Sequence, residues 1–137
     1  MTETTITPFT QGVYHVGLTV SEVFKIAIFT IILGMNKVSQ RPGYPVIFVS
    51  DGVVMITLWQ AKEPATATAF NRQINIGLQH VALTIADAEQ RDVLCARSKK
   101  TIGVEIEFTP ESLGSTPFHH IVRRIPGGVR VESIMPG

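Results

Sequence analysis

Cysteine is nearly absent from this chain: Cys95 is the one thiol in 137 residues. It cannot form an intrachain disulfide and supplies no cysteine-based zinc site. Net charge is nearly absent too. Twelve Lys and Arg stand against eleven Asp and Glu, a formal charge of +1. That balance leaves no electrostatic footprint for a phosphate backbone and sets nucleic acid aside as a partner. The first residues lack a basic, apolar, small-residue leader, so a cytoplasmic protein is expected rather than a secreted one. No apolar run reaches the roughly 20 residues of a bilayer-spanning helix. The longest, residues 23–33, contains Lys25 and is bracketed by Ser21-Glu22 and Gly34. It reads as a helix buried in the fold or covered by a partner subunit, not as a membrane span. What is present is an ordinary globular composition, 45% hydrophobic, with room for a single domain.

An internal repeat organises that domain. Gly12-Val13-Tyr14-His15-Val16-Gly17-Leu18-Thr19-Val20 recurs as Gly77-Leu78-Gln79-His80-Val81-Ala82-Leu83-Thr84-Ile85, an offset of 65 residues from His15 to His80. After each copy comes a helix-like stretch, opened by Ser21 or Asp87 and closed by Gly34 or Gly103. Three strand-like runs follow each helix. In the first half they cover residues 37–40, 45–50 and 53–60; in the second, 104–108, 118–124 and 129–135. Asp51-Gly52 and Pro126-Gly127-Gly128 break these runs as hairpin turns do, because glycine tolerates positive φ. Each half therefore reads β-α-β-β-β. The predicted class is α+β, one domain over residues 1–137. Module one spans about 12–60, a linker about 61–76, and module two about 77–137.

Side chains alternate along a strand, so His15, Gly17 and Thr19 share one face while Val16, Leu18 and Val20 share the other. In the second copy His80, Ala82 and Thr84 oppose Val81, Leu83 and Ile85. The aliphatic face suits a covering helix. The other face carries a histidine with Gly17 or Ala82 beside it, which is expected to leave room for a ligand. Glu132, a carboxylate in the last apolar run, adds a third donor. His15, His80 and Glu132 on one sheet face could hold a divalent metal with positions left open for water and substrate. Simpler roles exist for each: a hydrogen-bonded strand histidine, an inherited packing feature, a solvated neighbour of Arg130. Vicinal His119 and His120 must point to opposite faces, and His120 is favoured to reach the cavity. Arg123-Arg124 reads as an exposed pair, with one arginine meeting an anionic substrate as the alternative; Trp59 and Phe48 read as core, and Cys95 as an inert thiol in the second helix.

On these residues the chain resembles the vicinal-oxygen-chelate superfamily, which includes glyoxalase I, extradiol dioxygenases, and bleomycin- and fosfomycin-resistance proteins. The likeness rests on the paired strands around His15 and His80, the Ile32-Leu33-Gly34-Met35 helix exit, and the closing run from Pro126 to Glu132. The resemblance implies two β-α-β-β-β modules whose sheets form an open cup, with His15, His80 and Glu132 as ligands of one divalent ion (Fe, Mn, Ni or Zn). It also implies a small-molecule substrate with adjacent oxygen donors. Glyoxalase I-like members place a fourth, acidic ligand on the last strand of module one. The matching place here is Thr57, or Ile56 in a shifted register, and neither is an acid. His120 is then the candidate for the base that moves the proton.

The expected function is a metal-dependent glyoxalase-like lyase or isomerase. The alternatives are an extradiol-type dioxygenase and a non-enzymatic binder of a drug or metabolite, as bleomycin-resistance proteins are. The first helix adds an expectation about assembly. Its apolar side chains spread round the helix rather than along one stripe, which predicts a homodimer covering part of them unless the linker folds back over it.

Overall fold

The repeat seen in the sequence is a repeat of topology. In the computed structural model, residues 7–22, 28–41, 43, 45–101, 103–112 and 118–136 are described. Among them β1 (His15–Val20), β2 (Asn36–Arg41), β3 (Val46–Ser50) and β4 (Met55–Gln60) form one sheet in the order β1-β4-β3-β2. β5 (Val81–Thr84), β6 (Glu105–Ser112), β7 (Phe118–Arg124) and β8 (Arg130–Pro136) form a second in the order β5-β8-β7-β6. In each, the first strand pairs parallel with the last and the other pairings are antiparallel. The two-module α+β architecture expected from the repeat is the one adopted.

Local chemistry sets the turns. Asp51 accepts from the backbone N–H of Val53 at 2.8 Å and of Val54 at 2.9 Å, closing the β3–β4 hairpin while Gly52 takes φ 92°. Those bonds, that of Val54 foremost, hold the Asp51 carboxyl below its ordinary range. The helix α1 (Ala88–Lys100) starts at Asp87, whose side chain accepts from the Gln90 N–H at 2.9 Å, and ends in a basic last turn.

The first helix differs from expectation. Its described part is one π-helical turn, Ile28–Ile32, closed by Met35 N–H donating to the Phe29 carbonyl at 2.8 Å. β-Branched residues crowd this turn, which disfavours regular α-helix. Residues 23–27 lie outside the described residues. Phe29 and Ile32 are fully buried, whereas Ile31 is exposed. Complete burial of a side chain of this size contributes about 1.5–3 kcal/mol. Among the described residues the linker's backbone bonds to the rest of the fold go elsewhere: Ala61 N–H donates to Val20 and Phe70 N–H to Gly127, each at 2.8 Å.

One core draws on both modules, with Leu18, Val20, Ile56 and Leu58 packed alongside Leu94, Ile125 and Val131. Across it, Arg97 Nη1 of α1 donates to the Ile32 carbonyl at 3.1 Å. No helix among the described residues is long and apolar enough to cross a membrane.

Candidate functional site

Strand register decides which side chains share the open face of the second sheet. Ala82 pairs with Glu132, Val122 with Glu132, and His120 with Ile134. Residues paired across a sheet point to the same side, so Glu132 and His120 share a face with Ala82. His80 immediately precedes β5 and stands on that side too. His120 Nδ1 lies 2.6 Å from Glu132 Oε2, with both residues buried. His80 Nε2 lies 3.6 Å from Glu132 Oε1 and is partly exposed. The Nδ1 of His80 is 2.9 Å from Gln79 Oε1. That contact holds the ring with Nε2 turned towards the carboxylate. His119 lies on the other face, and its Nδ1 is buried without a hydrogen bond among the described residues.

The equivalent face of the first sheet has a different lining. His15 is exposed on β1 and meets the Tyr14 ring edge-on at 5.6 Å between centroids. Gly17 pairs with Thr57, Phe48 with Thr57, Thr19 with Trp59 and Val46 with Trp59. Phe48 and Trp59 are therefore on the histidine face and not in the core as expected, and Trp59 is 41% exposed. Alternation explains this, because neighbouring Leu58 takes the core side. The space expected beside Gly17 is taken. Trp59 Nε1–H donates to Thr57 Oγ1 at 3.0 Å, and a Cβ at Gly17 would lie 3.2 Å from that oxygen. Ile56 is fully buried on the core side, so of these two neighbours it is Thr57 that stands on the histidine face.

The donors expected to form a metal site are thus not gathered in one chain. His80 and Glu132 come together, while His15 stands on the edge strand of the other sheet. Among the described residues no group of three His, Cys, Asp or Glu is arranged to hold a metal ion. Two of the three donors have chemistry suited to a cation; the third is missing. A cavity of about 680 Å³ lies elsewhere. It runs between the end of β1, the linker and the approach to β5. Its described walls include Thr19, Ala61, Phe70, Ile76 and Leu78 but no titratable group.

Two features escape the sequence. Arg123, expected to be exposed, is fully buried on the core face. Its Nη2 bonds to Ser133 Oγ, while Nε and Nη1 have no hydrogen bond among the described residues. Burial pushes its pKa down to about 10, against a smaller upward pull from Cys95. Once His120 faces the open side, residues 121 and 123 must face the core; that alternation is the available signal. The second feature is a charged group on the open face, where Arg130 donates from Nε and Nη2 to Glu107 at 3.0 and 2.9 Å. Its signal is the charged spacing-two pattern of Arg130 and Glu132 on one strand.

No protein-family model matches the sequence, and no curated protein matches it significantly. Solved structures do match the fold. A glyoxylase/bleomycin resistance protein/dioxygenase domain from Frankia sp. EAN1pec superposes with a TM-score of 0.75 at 22% identity, over 93% of this chain and 93% of that one. The genomically encoded fosfomycin resistance protein FosX of Listeria monocytogenes gives 0.71 at 18% identity, over 94% of this chain and 96% of its own. A lactoylglutathione lyase from Agrobacterium tumefaciens gives 0.68 at 18% identity, over 93% and 96%. What this likeness carries is the fold: the chain is built as the glyoxalase, bleomycin-resistance and dioxygenase proteins are, from two modules with a four-stranded sheet in each.

Proposed function

We propose that the protein is a small-molecule enzyme of glyoxalase type, a lyase or isomerase that moves a proton on a substrate with adjacent oxygen donors. The second-sheet face holding His80, His120 and Glu132 is its site in this reading. The buried 2.6 Å contact between His120 Nδ1 and Glu132 carries the proposal. A carboxylate on one ring nitrogen fixes the tautomer and stabilises the imidazolium that forms when the ring takes a proton. With Thr57 in place of the acid that moves the proton in glyoxalase I-like proteins, His120 takes over that role. Glu132 orients it, and His80 lines the partly exposed approach.

A divalent ion belongs to this reading only with a third donor beside His80 and Glu132. We assign that donor to His15 of a second copy, brought in when β1 and β5, each at the edge of its sheet, meet across a homodimer. Sedimentation and elemental analysis test this part together. Dimers carrying metal that His15→Ala loses support it, and a metal-free monomer overturns it.

The proton chemistry is tested in deuterated water with a panel of α-hydroxycarbonyl compounds, following exchange at the carbon beside the carbonyl by NMR. Exchange that falls in both His120→Ala and Glu132→Gln supports the assignment. Exchange unaffected by both changes, or oxygen uptake with catechols in its place, overturns it; the second outcome favours the dioxygenase alternative. Tight ligand binding without turnover would favour a binder.

A further inference from the structure

Three arginines meet one glutamate near the β7–β8 turn. Arg130 lies on β8 two residues before Glu132, on the same face, and grips both Glu107 oxygens from Nε and Nη2. Arg72, carried by the linker, brings Nε to 3.2 Å from Glu107 Oε1, and Arg124 of β7 brings Nε to 3.7 Å from Oε2. A cavity of about 290 Å³ opens over them, lined also by Asn71, Gln73 and Gly128. Among the described residues Glu107 is the one acid in its wall. Glu105 pairs with Arg124 from outside at 2.6 Å, but both side chains are about half exposed or more, and such pairs hold charge weakly. The cavity keeps an excess of positive charge.

That excess does not come from a neutral Glu107, which is ionised and offsets one of the three guanidinium charges. Burial alone would raise its pKa, yet the Arg130 hydrogen bond and the charges of Arg130, Arg72 and Arg124 hold it below the ordinary value. Nor is Arg72 there by chance of a loose loop. Asn71 N–H donates to Asn75 Oδ1 at 2.6 Å and Gln73 N–H to Asn71 Oδ1 at 2.9 Å, tying the segment on both sides of Arg72. The same segment is seated on the turn below it. Gly128 has φ 93°, and a Cβ there would run into the Phe70 carbonyl, so only glycine lets the linker approach this closely. Arg130 alone gives the Glu107 carboxylate one bond to each oxygen. Arg72 and Arg124, partly exposed around it, have charge to offer a second anion.

We propose that this cavity is a binding site for the carboxylate, phosphonate or phosphate group of a small molecule, gripped by Arg72 and Arg124 above Arg130. Planar guanidinium forks match two oxygens of such a group. Arg130 and Glu132 are two residues apart on one strand, about 7 Å, so one small molecule can span both places. The site rests on the charge arrangement and stands whether or not His120 moves a proton.

The test is calorimetric titration of chelator-treated, full-length protein with inorganic phosphate, methylphosphonate and malonate at low ionic strength. We expect at least one of the three to bind at one per chain, weakening as sodium chloride is added. Arg72→Gln and Arg124→Gln, both at partly exposed positions, should each weaken it about tenfold, as loss of one charge-assisted contact does. The tightest of the three names the group. Glu132→Gln should bind the anion as the wild type does. Proton exchange that Glu132→Gln leaves unchanged, with anion binding intact, therefore counts against the proposed function and not against this site. The site is overturned if none of the three anions binds, or if the double variant Arg72→Gln/Arg124→Gln binds them as tightly as the wild type.

Discussion

Superimposing the two modules by strand register sets Thr57 against Glu132, Val46 against His120, Met55 against Arg130 and Ser50 against Arg124. At each place the first module has a neutral side chain and the second a titratable one. The backbones repeat; the chemistry does not. In the first module the shared face is closed by Trp59 lying against Thr57. In the second it holds a buried carboxylate between histidines, with a guanidinium cluster beside it. A duplicated fold has thus kept both sheets while their open faces diverged, the first into a neutral lining and the second into a carrier of charge.

That division can be broken one position at a time. The largest effect is expected at Glu132. Glu132→Gln should lower proton exchange about 10²–10⁴-fold, because the acid–base contribution of His120 depends on the carboxylate that orients it. Thr57→Val at the matching place should leave the rate within a few-fold, and an equal loss at both would end the distinction. Next comes Arg130→Met, which makes the second module resemble the first at Met55. It leaves the Glu107 carboxylate without its two-pronged partner, and chemical denaturation should show a loss of about 2–4 kcal/mol. The opposite sign is expected for Arg123→Met. A buried guanidinium with two unsatisfied nitrogens is replaced by an apolar chain of similar length, for a gain of about 1–3 kcal/mol. Because burial lowers the Arg123 pKa to about 10 from its ordinary value, the folded state loses this proton before the unfolded chain does. The penalty is complete below pH 10 and relieved as the pH rises above it, so the gap between variant and wild type should narrow there.

The smallest effect is reserved for the neutral module. Asp51→Ala removes the two backbone hydrogen bonds that close the β3–β4 turn, at about 1 kcal/mol. The Asp51 pKa is lowered from 3.8. Its contribution is therefore present above that value and lost as the pH falls through the lower folded pKa. An acid titration of wild type and variant should converge there.

The sequence is most legible where the physics is local. Identical residues 65 positions apart, the Asp51-Gly52 and Gly127-Gly128 turns and the Asp87 cap are readable without any partner strand, and the two-module fold follows from them. Alternation is readable too, but hydrophobicity competes with it. Trp59 reads as core for its apolar ring, although it adjoins Leu58 and must face the other way. Arg123 reads as exposed for its charge, although it is two residues from Ile121. The relation between His15 and His80 is of another kind. Both are first-strand histidines of equivalent modules, but nothing within either strand says how one sheet stands to the other. That is decided by helix packing and the linker, which is why one histidine meets Glu132 and the other does not. The cluster on Glu107 is illegible for the same reason, since Arg72 reaches it from the linker and Arg130 from a strand 23 residues along the chain.

The hydrogen bond from Arg97 to the Ile32 carbonyl, and the core on both sides of it, bear on how the molecule comes apart. A tandem duplication can retain two folding units, each able to melt alone. Here the apolar residues under both sheets form one cluster, and a cation from the second helix satisfies a backbone acceptor in the first module. Neither half can expose its core without uncovering the other's. Heat or denaturant should therefore meet a single cooperative transition, and the ancestral half, if cut free, would be left with its apolar face open to water.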